Sequence, residues 1–176
     1  MVNLKEHHRR SIRLNQYNYS LPGAYFITIC THKRQYLFGH IEDQKMLLNK
    51  NGLIVKDELL KTAVLRPYLS IDEYVIMPNH LHAIIWIYDP LSESLDEAGV
   101  NKFGKPRAKT LGSIIGAFKA AATRRINEQS GNDGPFVWQR NYYEHVIRRD
   151  ESMKEIREYI RYNPLNWDTD PENPAV

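Results

Sequence analysis

The sequence lacks most of the features that would take it out of the ordinary globular class. Its 176 residues include one cysteine, Cys30, so neither an intrachain disulfide nor an all-cysteine zinc site is available. No apolar run approaches the length that spans a bilayer, and those present, such as 83–87, are strand-sized. The basic start MVNLKEHHRR is followed by no apolar stretch with a small-residue cleavage site, which argues against a secretory signal. Internal repeats and low-complexity tracts are missing too, which excludes fibrous and disordered classes. What remains, 42% hydrophobic and 26% charged residues with mean hydropathy -0.55, fits one domain in a reduced, cytoplasmic setting.

A net charge of +3 hides a separation. Residues 1–13 carry Lys5, Arg9, Arg10 and Arg13 against Glu6. Residues 101–125 carry Lys102, Lys105, Arg107, Lys109, Lys119, Arg124 and Arg125 with no acid, a net of +7. The rest of the chain is acidic, so the positive charge is concentrated in a way that suits a polyanion. Solvated surface lysine and arginine are the plainer account of the same pattern.

Periodicity gives the elements. Residues 1–22 lack it and read as a basic arm. Residues 24–31 (AYFITICT) are aromatic and β-branched on both faces, a central strand. A helical stretch is expected from about 42 to 65, interrupted at Asn51-Gly52. A short strand at 73–77 and a Met77-Pro78-Asn79 turn lead into 80–88 (HLHAIIWIY), the strongest strand signal. There Leu81, Ala83, Ile85 and Ile87 share one face, and His80, His82, Ile84, Trp86 and Tyr88 the other. A helix is expected over 110–129, a strand within 136–147, and a last helix after Asp150 with Ser152 and Glu155 at capping-box spacing. It should end at Asn163-Pro164, leaving a polar tail at 167–176. The order is that of a ferredoxin-like βαββαβ antiparallel sheet, an α+β fold, with an added C-terminal helix; the domain proper spans 23–166.

Two groups in this order carry chemistry. His80 and His82, two apart on a strand, project from one face and can meet at one cation. A bare H-x-H is weak, and a buried histidine bonded to a carbonyl is the bland alternative. Tyr159 and Asn163, four apart, share a face of the last helix; a packing tyrosine beside Met153, Ile156 and Ile160 accounts for them equally simply.

Context comes from a resemblance. Residues 77–82 (MPNHLH), 138–148 (WQRNYYEHVIR) and 159–164 (YIRYNP), with HRRSIRL at 8–14 and PGAYF at 22–26, resemble the HUH single-tyrosine transposases, most of all their REP-associated tyrosine transposase branch. The resemblance covers about 7–166, with its blocks in the family's order, and makes 23–166 a transposase domain of this kind. It implies that His80 and His82 bind a divalent metal, Mg2+ or Mn2+, and that Tyr159 is the nucleophile. Asn163 would be a polar third ligand where insertion-sequence relatives have glutamine. Tyr142, Tyr143 and Tyr162 are rivals for Tyr159 that lack its relation to Asn163.

The implied reaction is cleavage and transfer of single-stranded, hairpin-forming palindromic DNA through a 5′-phosphotyrosine intermediate, in a prokaryotic cytoplasm near the nucleoid. The branch is expected to act as monomers, with no obligatory protein partner and no membrane. Phosphate contacts would come from Arg9, Arg10, Arg13, Lys102, Lys105, Arg107, Lys109, Lys119, Arg124 and Arg125. Bases could stack on Tyr17, Tyr19, Trp138, Tyr142 or Tyr143. The competing reading is a non-catalytic nucleic-acid-binding module on the same sheet, since fold alone does not choose.

Overall fold

The structure, a computed structural model, describes residues 22–88, 110–131 and 136–174, apart from the Glu151 side chain. The basic arm with Arg9, Arg10, Arg13, Tyr17 and Tyr19, and the loop with Lys102, Lys105, Arg107 and Lys109, lie outside the described residues.

The elements are β1 (Gly23–Cys30), β2 (Gly39–Glu42), β3 (Lys45–Leu48), α1 (Lys50–Val64), β4 (Leu69–Ile76), β5 (His80–Ile87), α2 (Leu111–Ser130), β6 (Tyr143–Ile147) and α3 (Asp150–Tyr162). Four strands form one antiparallel sheet in the order β4-β5-β1-β6. This is the ferredoxin-like arrangement, and its two central strands, β5 and β1, are the two whose sequences read most apolar.

The stretch expected to be helical from 42 begins instead as the β2–β3 hairpin. Asp43 and Gln44 turn it at φ 48 and 59, the doubly left-handed backbone that matches strand twist in a two-residue loop. Asn51-Gly52 does not break α1. It sits in the first turn, where the Gly52 N–H donates to the Asn49 side chain at 3.0 Å. A Cβ at Gly52 would fall 2.2 Å from the Phe38 carbonyl oxygen, so the close approach of hairpin and helix requires glycine.

Strand alternation sorts the sheet's faces. Tyr25, Ile27, Ile29, Leu81, Ala83 and Ile85 bury against α1 and α2, through Val55, Leu59, Leu111, Ile114, Ile115 and Phe118. Ala24, Ile84 and Ile147 on the opposite face pack with Met153 and Ile160 of α3. The histidine row of β5 therefore faces the helix that carries Tyr159. Trp138 packs between Phe38 and Phe118 in the main core, as core packing rather than a base platform.

Helix α3 is fastened to β4 by two ion pairs. Arg157 grips Asp72 with Nε to Oδ1 at 2.7 Å and Nη2 to Oδ2 at 2.5 Å, and Arg161 Nε donates to Glu73 at 2.9 Å. One extra residue in β4 between Ile71 and Tyr74 makes a bulge there, which lets two adjacent carboxylates reach the same helix. Ser152 lies inside α3 rather than capping it, since the helix begins at Asp150 with Arg149 as a cap that makes no side-chain bond. Asp150 in that first turn suits the helix dipole.

Beyond α3 the chain does not trail away. It turns through a short 3-10 segment, Trp167–Thr169, and returns across the mouth of the sheet, burying Asp170 and Asn173 at 3% and 6% exposure. Among the described residues no helix is long and apolar enough to cross a membrane.

Candidate active site

His80 opens β5 directly after the tight Met77–His80 turn, in which Met77 N–H donates to the His80 carbonyl. His82 follows on the same face; the two rings lie 4.5 Å apart between centroids and are 0% and 2% exposed. Each has an inner partner. Asn79 Oδ1 is 2.8 Å from His80 Nδ1, and Thr28 Oγ1 is 2.8 Å from His82 Nδ1. Oδ1 only accepts, so Nδ1 of His80 carries the proton and its Nε2 lone pair faces outward. That Nε2 is buried and has no hydrogen-bond partner among the described residues. His82 Nε2 is 3.2 Å from the Tyr159 hydroxyl.

A third group joins from a segment whose sequence shows only polarity. Asp170, His80 and His82 bring ligand-capable atoms within 4.8 Å of one another. Asn163, expected to be the third donor, gives its Nδ2 hydrogen to Asp170 Oδ2 at 2.7 Å. Its Oδ1 is buried and without a hydrogen-bond partner among the described residues. Two imidazoles, one of them with an orphaned buried Nε2, and a carboxylate fit a divalent cation, because such an atom is costly to bury unless something positive meets it.

The returning segment is pinned along its length. Glu172 pairs with Arg34 at 2.7 Å and accepts from Cys30 Sγ at 3.2 Å. Asn79 Nδ2 donates to the Glu172 carbonyl at 2.6 Å, and Tyr36 donates its hydroxyl to Asn173 at 2.6 Å. Asn79 thus joins the histidine pair to the segment that brings Asp170. Asp170, Glu172, Asn79 and Thr28 are the site residues that sequence spacing misses. Asp170 lies ninety residues from His80 and makes no motif with it, and Thr28 meets His82 only through β1–β5 pairing.

Burial dominates the electrostatics. It pushes His80 down to about 4, opposed by the carboxylates of Asp170 and Glu172, and it pushes His82 well below the ordinary imidazole value with help from His80. Burial and the same two carboxylates push the Tyr159 phenol up to about 12, against the side chain of Asn163, which favours the phenolate. Both histidines are therefore neutral in the folded protein. Their folded values lie below the unfolded reference of about 6.5, so the unfolded chain binds more protons between the two. The stability they contribute is whole above about pH 6.5 and falls as pH drops from there toward 4. Urea unfolding of the metal-free protein should show its midpoint falling through that window, with a shallower fall in His80→Gln/His82→Gln. Equal slopes in the two proteins would contradict a neutral, buried pair.

The basic residues expected at DNA divide. Lys119 turns its half-buried ammonium inward, donating to the carbonyls of Gln139 and Arg140 at 2.6 and 3.2 Å, and burial lowers its pKa. Arg125 bonds Asp57 at 2.6 Å and the buried Glu58 at 2.7 Å. Arg124 stays at the surface, with Glu128 at 3.8 Å. Arg124→Gln is accordingly expected to flatten the salt dependence of single-strand binding by about 0.7 in the log–log slope. Arg125→Gln and Lys119→Gln should lower the melting temperature and leave that slope unchanged. Anisotropy titrations across salt, paired with thermal melts, check both; a slope change in Arg125→Gln equal to that in Arg124→Gln would refute the division.

Comparison with known proteins follows this geometry. No family model matches the chain. An uncharacterised protein of Haemophilus influenzae is 45% identical over 168 residues, covering 93% of this chain and 92% of that protein. A solved structure of a REP-associated tyrosine transposase bound to a REP hairpin aligns with a TM-score of 0.57 and 18% identity, over 88% of this chain and 74% of that one.

Proposed function

We propose that this chain, which belongs to one family with the uncharacterised Haemophilus influenzae protein and has the fold of a REP-associated tyrosine transposase, is a metal-dependent nuclease and strand transferase acting on single-stranded, hairpin-forming DNA. The observation that carries the reading is the Tyr159 hydroxyl, 3.2 Å from His82 Nε2, beside a buried group of two histidines and an aspartate. A packing tyrosine has no need of that company, and a base-binding sheet has no need of an unpaired buried histidine nitrogen.

In this reading His80, His82 and Asp170 hold Mg2+ or Mn2+. Bound there, the cation supplies positive charge that polarises a phosphodiester oxygen and draws the nearby phenol toward phenolate. Asn79 and Thr28 keep the Nδ1 atoms of the histidines occupied, so that Nε2 of each is presented. Asn163 holds Asp170 through Nδ2, and its side chain favours the phenolate form of Tyr159. It acts through its neighbours in place of the ligand role that the resemblance implies.

Tyr159 is 42% exposed and so open to substrate. Its oxygen bonds to phosphorus as the bond from phosphorus to the 3′ oxygen breaks, and the proton lost by the phenol is balanced by the proton that the departing 3′ oxygen takes up to become a hydroxyl. The phosphotyrosine retains the energy of the phosphodiester, so a second 3′ hydroxyl can reverse the step without a nucleotide cofactor. Every group named belongs to one chain, and the Arg157 and Arg161 ion pairs hold the tyrosine helix on its own sheet. In this reading a single chain carries every group that the reaction needs. Arg124 and the basic residues of the arm and of the loop at 102–109 are assigned to DNA phosphates. The test is a covalent protein–DNA adduct formed on hairpin-bearing single strands with Mg2+ or Mn2+.

A further inference from the structure

Beside Tyr159 and His82 the described residues leave a cleft of about 440 Å³, lined by the rings of Phe26, Tyr142, Tyr143 and Tyr159 and bordered by Pro171 and Glu172 of the returning segment. We propose that this cleft receives the unpaired nucleobase next to the bond that Tyr159 attacks, stacked on the Phe26–Tyr143 wall. The proposal rests on the nuclease reading above for the identity of that bond, and on the cleft itself for the nature of its occupant.

The rings are arranged as a trough. Phe26, on the histidine face of β1, stacks on His82 with centroids 5.4 Å apart and planes 23° from parallel. Tyr143 and Tyr159 stand steeply to it on either side, at 6.3 Å and 69° and at 6.1 Å and 80°. Tyr143 and Tyr159 are 46% and 42% exposed, so both rings are accessible from solvent. A flat ligand with two apolar faces fits such a trough, and every nucleobase is one.

Among the described residues the lining of the cleft brings no free cationic side chain for a further phosphate beside the one presented to Tyr159. It includes Arg34 and Glu172, but these neutralise each other at 2.7 Å, so no positive charge is left over for an anion. Two carboxamides, from Gln139 and Asn141, are among the polar groups of the wall, with Thr28 and His82. Carboxamides offer a donor and an acceptor side by side, the pattern that reads a base edge. Connectivity supplies the rest. A phosphodiester presented to the Tyr159 oxygen carries its neighbouring nucleotide within a few ångströms, and the cleft begins at that same residue. Tyr143, a rival for the nucleophile by sequence, becomes a base platform, and Asn141 becomes the residue that sets which base is preferred.

The full-length protein, kept free of divalent metal so that no strand is cut, is mixed with a short random-sequence single strand carrying 5-iodouracil in place of thymine and irradiated. Peptide mass mapping should place crosslinks on Tyr143 or Phe26. Tyr143→Leu should lose that crosslink and weaken binding of the same strand roughly ten-fold, the order of one base–aromatic stack, and Tyr143→Trp should restore both. Asn141→Ala should reduce the difference in affinity among strands that differ only in the base at the crosslinked position. Crosslinks confined to other residues, no crosslink at all, or equal binding by Tyr143→Leu would each overturn the proposal. The outcomes separate from those of the nuclease reading. A Tyr143 crosslink with no Tyr159 adduct leaves a base-binding cleft on a non-cutting protein. A Tyr159 adduct with an undisturbed Tyr143→Leu leaves a nuclease whose base lies elsewhere.

Discussion

Tyr159→Phe is expected to yield a folded protein that binds hairpin-bearing single strands and forms no covalent adduct with them. The substitution removes one oxygen. The ring keeps its contacts with Phe26 and with His82, at centroid distances of 6.1 and 5.1 Å. The lost hydrogen bond to His82 is partly exposed, so the cost to stability is limited to about 0.5–1.5 kcal/mol. The attacking atom, in contrast, has no substitute. Tyr162 is 55% exposed on the same helix without a hydrogen bond to either histidine, and Tyr143 stands across Phe26. Tyr162→Phe and Tyr143→Phe should therefore keep the slow-migrating adduct on a denaturing gel with a labelled strand. An adduct that survives in Tyr159→Phe would move the nucleophile to another residue. A wild-type protein that binds such strands but never forms an adduct would make the non-catalytic module the better account.

The second large effect concerns the cation. His82→Gln and Asp170→Ala should each abolish adduct formation and weaken Mn2+ binding, read by electron paramagnetic resonance, by at least ten- to a hundred-fold, while DNA binding without metal persists. His80→Gln should do the same. Asn163→Ala should weaken Mn2+ less than Asp170→Ala, because it loosens the Asp170 carboxylate instead of removing it. Asn79→Ala is expected to weaken Mn2+ as well, although Asn79 is no ligand in this account. It frees His80 Nδ1 and releases the carbonyl of Glu172, so both His80 and the segment bearing Asp170 lose their anchor. Equal Mn2+ affinity in Asp170→Ala and wild type would return Asn163 to the role of third donor.

These effects fall on residues of very different visibility. His80 and His82 are legible because strand alternation puts i and i+2 on one face, and Leu81 with Ala83 shows which face is the other. Tyr159 and Asn163 are legible as one turn of helix. The order of strands and helices, and the central place of β1 and β5, follow from apolar patterning alone. The β2–β3 hairpin was not legible. Asp43-Gln44 is a poor signature for a turn with two positive φ angles, and the surrounding residues carry no strict alternation. Nor were the partners of Lys119 and Arg125, since a cation looks the same in sequence whether it faces a carbonyl, a buried glutamate or water.

The sequence by itself determined the sheet, the histidine face and the tyrosine helix, because each depends on periods of two to four residues that local geometry enforces. Only the tertiary structure decided what fills the space between them. Asp170 arrives by a chain reversal held by Arg34, Tyr36 and Asn79. Thr28 arrives by strand pairing across fifty-four residues, and the aromatic trough by the meeting of β1, β6 and α3. Contacts of that separation leave no period in a sequence, because they are fixed by the packing of whole elements and not by the stereochemistry of neighbouring residues.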